Sequence, residues 1–354
     1  MVPRRPVTRL HRGQAGRPGP LRRRLHPALR PVSAQTAPPL AKGSVSLRLY
    51  PHDGPASEQL DEVRELARRA VEVGYDGVMV SEHHAGFPGY FPSPQQMAGF
   101  LLAAMPSGWA VPCPLLLPMK PFALIAEEVA WLAAAFPGRV GAGFASGALP
   151  VDFELAEVPF DEITPRFKQA LPLVVAALRG QADGPLADDR AIAACADHPV
   201  PMVAAAQSLA AVRRAARLDL GILYDSLQAV EHVRALSDAY DEAGGIGPKI
   251  LIRRVWIGGP PGQAVDNQLD LYRTYTTEGT MARWDQGANT VLAANGAEAA
   301  EQLHAEMAAT GTDTINIRIH VVGLSPGYIR DQLDLHGELV ERLKRKISDS
   351  KHSA

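Results

Sequence analysis

Glu82-His83-His84 sets an acid and two imidazoles in consecutive positions, one residue (Ser81) after the apolar run Gly77-Val78-Met79-Val80. Packing an apolar strand needs no titratable group at its carboxyl end, whereas in α/β folds that end is where reacting groups gather. Imidazole changes charge near neutral pH, so a histidine placed there suits proton transfer. Neighbouring residues on a strand point to opposite faces, so His83 and His84 are poorly arranged to chelate one metal. The two cysteines, Cys113 and Cys195, add no Cys/His cluster, and no metal is expected. Taken alone, a histidine pair is more often a packing feature. At a strand's carboxyl end it reads as catalytic.

Four other stretches carry residues with a chemical use. Trp109–Pro118 is apolar, yet Pro112, Pro114 and Pro118 each lack the donor that a ladder needs. It is either no regular strand or a bulged one, and the Cys113–Pro114 bond could be cis. Gly141–Ala148 ends a strand in small residues, where Gly143 and Gly147, flanking Ser146, would let backbone approach a ligand; a loop needing positive φ is the plainer reading. Gln207-Ser208 opens a helix, so Ser208 is a plain N-cap or part of an anion site. Asn316, Arg318 and His320 alternate with isoleucines and would face the lumen or mouth of a barrel, as would Arg48, Arg253 and Arg254. An arginine there is most often a paired structural charge, but at the mouth it can hold an anion.

The elements that must position these residues repeat as strand then helix. Strands are expected at Val45–Tyr50, Asp76–Ser81, Trp109–Pro118, Arg139–Phe144, Pro201–Ala206, Leu220–Tyr224, Ile250–Ile257 and Thr314–Ile319. Helical spacing of apolar residues follows each, for example Leu60, Val63, Leu66, Ala67, Ala70 and Val71 before Gly74. Gly180–Pro199 reads as linker. Gly258–Gly287 is a long insertion after strand seven, and with Tyr272, Tyr275, Arg283 and Trp284 it would form a mobile lid. Eight such units in roughly 300 residues fit a (β/α)8 TIM barrel. A doubly wound sheet would want a Gly-rich phosphate loop after the first strand, which Tyr50–Gly54 does not supply.

Composition bounds the reading. No apolar run approaches the roughly 18 residues of a membrane span, and few cysteines point to a reduced, cytoplasmic setting. Residues 1–43 carry nine arginines and Lys42 but no acid, so the net charge of −2 leaves −12 on the rest. So acidic a body argues against nucleic-acid binding. The Arg/Pro-rich stretch 1–43 is expected to be disordered, as is 349–354, around a body at 44–348. The tail is open to four readings: an organellar transit peptide, a polyanion-binding arm, a tether or an unselected extension.

Three blocks together resemble the luciferase-like monooxygenase family from about Val45 to Ile347: Glu82-His83-His84 with Gly89–Pro94, Leu117–Val140, and Gly143–Phe153 with Ala206-Gln207-Ser208. The resemblance implies a barrel that binds reduced FMN, supplied by a partner reductase, and uses O2 on a small organic substrate. An F420-dependent dehydrogenase on the same barrel is the alternative, and a catalytically silent subunit or flavin-binding homologue is a third. On this reading His83 is the acid/base with His84 beside it. Glu82, Cys113, Pro114, Ser146, Gly147, Gln207 and Ser208 would meet the cofactor, with Cys113–Pro114 a cis bulge against the ring. Tyr90, Arg318, His320 and Trp284 would meet the substrate. A homodimer is expected by the same likeness. Ser146 stands where the family carries a phosphate-binding arginine, Gln207 where it carries an acid, and Ala211 at a later hydroxyl position.

Overall fold

The computed structural model describes residues 36–274, 281, 282, 284 and 290–352. Most of the expected tail, the lid residues Tyr275 and Arg283, and the last two residues lie outside these. Ten parallel strands form one sheet: β1 Val45–Arg48, β2 Gly77–Val80, β3 Trp109–Pro112, β4 Leu115–Leu116, β5 Ala142–Ala145, β6 Met202–Ala205, β7 Gly221–Leu223, β8 Lys249–Ile257, β9 Thr290–Ala293 and β10 Thr314–Arg318. Their order is β3-β2-β1-β10-β8-β7-β6-β5-β4, with β9 on β8. A parallel bridge from Ala110 to Val140 joins the two edges. β3 and β4 are two halves of one barrel strand, interrupted at the cis Cys113–Pro114 bond. Counted so, and with β9 set aside as a branch on β8, the wall has the eight positions of a TIM barrel. Most strands are buried on both faces, because helices cover them outside and side chains, some of them polar, fill the inside.

The wall is tight at the break between β3 and β4. A Cβ on Gly143 would come within 2.1 Å of Cys113 Sγ, so only glycine lets β5 pass this close. Below, Leu40 is 2% exposed and packs in the lumen with Met79, Trp109, Val203 and Ile250. The ordered body therefore starts upstream of the boundary expected at 43. It also ends later than expected, since the closing helix Pro326–His352 runs past 348.

Three local expectations are corrected. The linker at 180–199 holds a 3-10 turn, Gly184–Asp188, and a short helix, Arg190–Ala194, because the Asp189 carboxylate accepts the Ala191 and Ile192 N–H groups. The insertion after β8 is not all loop: Gln263–Arg273 is helical. β9 went unread, since the nine-residue β8 divides its length, pairing β10 through Ile250–Arg254 and β9 through Arg254–Ile257. Among the described residues no helix is long and apolar enough to cross a membrane.

Candidate active site

The carboxyl end of β2 delivers the acid and both imidazoles, and each finds a separate task. His83 Nδ1 lies 2.8 Å from Asp152 Oδ2, and the His84 backbone N–H donates to Asp152 Oδ1 at 2.7 Å. Asp152 is fully buried, on the short helix Pro150–Leu155 that follows β5. A carboxylate can only accept, so Nδ1 of His83 carries the proton and Nε2 is left for the cavity. Glu82 accepts the Leu116 N–H at 2.6 Å with one oxygen and meets His84 Nε2 at 3.1 Å with the other. The hydrogen bond that His84 Nε2–H donates to Glu82 holds the His84 imidazole above its ordinary pKa. One histidine therefore faces the cavity and the other braces the strand end.

His83 opens onto a cavity of about 390 Å³, within the range of small-molecule sites. Its floor and one wall are apolar and small: Pro114, Leu116, Ala145, Gly147, Ala148, Ala205, Leu223 and Ile252. Gly147 has φ +84°, and a Cβ there would strike the Phe153 ring at 2.4 Å. Ser146, Gln207, Ser226 and Gln228 add polar atoms along one rim, where Gln228 Nε2 donates to Gln207 Oε1.

Aromatic rings close the other side. The Tyr90 ring meets His83 edge-on at 4.5 Å and Tyr50 at 5.1 Å, and Phe87 lies 4.9 Å from His83. Tyr90 and Tyr272 share a 3.0 Å hydrogen bond between their hydroxyls. Arg318 sits over the Tyr50 ring at 4.2 Å and donates to the Tyr272 hydroxyl at 3.2 Å. Burial raises the Tyr272 phenol, but Arg318 and Arg254 outweigh it and the net shift is downward. Burial pushes His320 down to about 3, aided by Arg318 and His52, so its ring is neutral. Burial likewise raises the Asp225 carboxyl beside the cavity.

Of the thirteen residues given an acid–base, cofactor or substrate role from sequence, nine line this one cavity: Glu82, His83, Tyr90, Pro114, Ser146, Gly147, Gln207, Trp284 and Arg318; Arg48 and Tyr272 join them. Four do not. His84 turns to Glu82. The Cys113 carbonyl is held from behind by Arg48 Nη1 at 2.9 Å and Ser81 Oγ at 3.2 Å. Ser208 is an exposed cap whose Oγ accepts the Ala211 N–H at 3.3 Å. His320 stacks behind Tyr50 at 5.8 Å. Of the arginines expected at the lumen, Arg253 instead turns out to Glu306, because it alternates with Arg254 along β8. Sequence reasoning missed Asp152, Asp225 and Gln268; an acid in the first turn of a short helix reads only as a dipole partner.

The chain belongs to the luciferase-like monooxygenase family, whose model matches residues 43–341. An uncharacterized Mycobacterium tuberculosis protein, Rv0940c, is 33% identical over 108 residues, covering 29% of this chain and 38% of that protein's length. The oxygenating constituent of 3,6-diketocamphane monooxygenase from Pseudomonas putida, solved with FMN, superposes with TM-score 0.70 at 16% identity, over 86% of this chain and 98% of that one. An F420-dependent secondary alcohol dehydrogenase, solved with an F420-acetone adduct, gives 0.64 at 14%, over 85% and 99%. At these identities the two structures share the fold.

Proposed function

We propose that this cavity is the active site of an oxidoreductase using a reduced flavin, and specifically of a monooxygenase that takes FMNH2 from a separate reductase and acts with O2 on a small organic substrate. The single observation that carries this is the His83–Asp152 pair, an oriented imidazole at the edge of a largely apolar cavity roofed by aromatic rings. The donor set fits a planar, polar-edged ring. Small flat walls at Pro114, Ala145 and Ala205 leave room, and the indole N–H of Trp284, which lines the cavity, has no hydrogen-bond partner among the described residues. Pro114, Leu116, Ala145 and Ala205 would hold the ring, and Ser146 and Gln207 would meet a polar tail. When bound, the cofactor supplies the electron transfer and the reaction with O2.

The protein's share is to hold a proton and keep water out. His83 Nε2 takes up a proton from the reacting group and returns it, and Asp152 stabilises the imidazolium that forms between those events. Tyr50, Phe87 and Tyr90 limit solvent entry on the His83 side.

Rapid mixing of the protein with reduced FMN and then O2 tests this reading. We expect tight binding of reduced FMN and an altered rate of its reoxidation, with His83→Ala returning that rate to the free-flavin value. Binding of reduced F420 in place of FMN would move the assignment to hydride transfer. Binding of neither would end the flavin reading.

A further inference from the structure

Three arginines stand side by side across three adjacent strands. Arg48 on β1 is the Cα partner of Arg318 on β10, and Arg318 is the partner of Arg254 on β8. Their exposures are 3%, 2% and 0%. Neighbouring strands lie about 4.8 Å apart, and like charges directly across from one another destabilise a sheet. A buried cation is normally matched by a carboxylate.

Among the described residues neither Arg48 nor Arg318 has a carboxylate within ion-pair distance. Arg48 donates to Asn316 Oδ1, to the Cys113 carbonyl, to the Ser81 hydroxyl and weakly to Met79 Sδ. Arg318 donates to the His320 carbonyl, to Gln268 Oε1 and to the Tyr272 hydroxyl. These acceptors satisfy N–H groups but carry no full charge. Two carboxylates line the cavity, and Glu82 is used by His84 and Leu116. Asp225 accepts the Leu227 N–H at 2.9 Å; burial raises its pKa, and Arg254, Arg318 and Arg48 are felt only at longer range. Among the described residues neither comes within ion-pair distance of Arg48 or Arg318.

The surroundings have donors to spare. Gln268, whose oxygen is taken by Arg318, leaves its buried Nε2 without an acceptor among the described residues, and Trp284 Nε1 at the cavity wall is in the same position. We therefore propose that the cavity binds a ligand through an oxyanion (carboxylate, sulfonate or phosphate) seated against Arg48 and Arg318. In the barrel order, β1 and β10 lie across from β5 and β6, which lead into Ser146 and Gln207. The oxyanion therefore binds on the wall opposite that polar rim. A guanidinium fork matches two oxygens of one anion, which an ammonium does not. Resting on the flavin reading above, the oxyanion belongs to the organic substrate; the other source of the same chemistry is the cofactor's phosphate.

Calorimetric titration of the full chain with hexanoate, hexanesulfonate and inorganic phosphate, against hexanamide as the neutral isostere, tests the inference without any flavin. We expect at least one anion to bind at least about tenfold more tightly than the amide, and Arg318→Gln to remove that preference. Equal binding of hexanoate and hexanamide, no binding of any anion, or full anion affinity in a folded Arg318→Gln protein would overturn it. If that variant does not fold, the wild-type ratio of anion to amide decides alone. FMN and riboflavin separate the sources. If the substrate supplies the anion, FMN and hexanoate bind together and Arg318→Gln leaves FMN affinity unchanged. If the cofactor does, FMN displaces hexanoate and Arg318→Gln weakens FMN but not riboflavin. Anion binding without flavin binding keeps the oxyanion site and removes the flavin reading; flavin binding without anion binding does the reverse.

Discussion

The two sides of the cavity handle buried charge in opposite ways. On the β2 and β5 side, every acid meets an imidazole: Asp152 holds His83, and Glu82 holds His84. On the β1 and β10 side, Arg48 and Arg318 are surrounded by neutral acceptors and aromatic faces. A side whose charges are internally matched keeps its geometry in the absence of ligand, which is what a proton-transfer group requires. A side with unmatched cations reserves its strongest interaction for whatever enters. The same contrast appears within one residue type. Glu82 raises the pKa of His84, whereas burial near Arg318 lowers that of His320 to about 3.

The contrast breaks first at His83. His83→Ala should lower turnover by roughly 10²- to 10⁴-fold, the usual worth of a positioned acid–base group, with little change in flavin affinity. Steady-state kinetics with reduced flavin and O2 would show it, and a variant retaining most of its turnover would remove His83 from the chemistry. Asp152→Asn should cost less, about 10- to 100-fold in kcat, because a hydrogen bond to a charged group is worth ~1.5–3 kcal/mol. If asparagine serves as well as aspartate, Asp152 is merely a packing residue.

Gly143→Ala probes the packing within the β2 and β5 side. Its new methyl would collide with Cys113 Sγ, and overpacking of this kind costs about 1–3 kcal/mol. Thermal unfolding should show a lowered Tm, and an unchanged Tm would mean that β5 and the Cys113–Pro114 segment are not in close contact.

The smallest effect is a pair of opposed titrations. His84 binds its proton more tightly when folded, so its contribution to stability is full below the ordinary value near 6.5 and is lost as pH rises through the raised one. His320 is the reverse. Between about 3 and 6.5 the unfolded chain takes up a proton that the folded chain refuses, so stability falls as pH drops through that window. Histidine NMR titration should find His84 titrating above free histidine and His320 silent down to pH 4. A His320 that titrates near 6.5 would show it to be hydrated.

The barrel was legible because its signals are local. Apolar runs such as Val78–Val80, alternating with helical spacing as in Leu60–Val71, report burial on both faces of a parallel strand and on one face of its helix. The three prolines of Trp109–Pro118 announced the break that separates β3 from β4. Short elements were lost where one side chain decides them, as when Asp189 caps Arg190–Ala194 inside an apparent linker.

What the sequence determined by itself was the order of strands and helices and the placing of Glu82-His83-His84 at a strand's carboxyl end, because backbone preference and apolar spacing act between near neighbours. Only the tertiary structure decided that Asp152, 69 residues away, orients His83, and that Ser208 stays outside the cavity that Gln207 lines. It alone set Arg48, Arg318 and Arg254 in one row. Pairing across a barrel depends on register between distant strands, and register is fixed by the packing of the whole wall rather than by any stretch of chain.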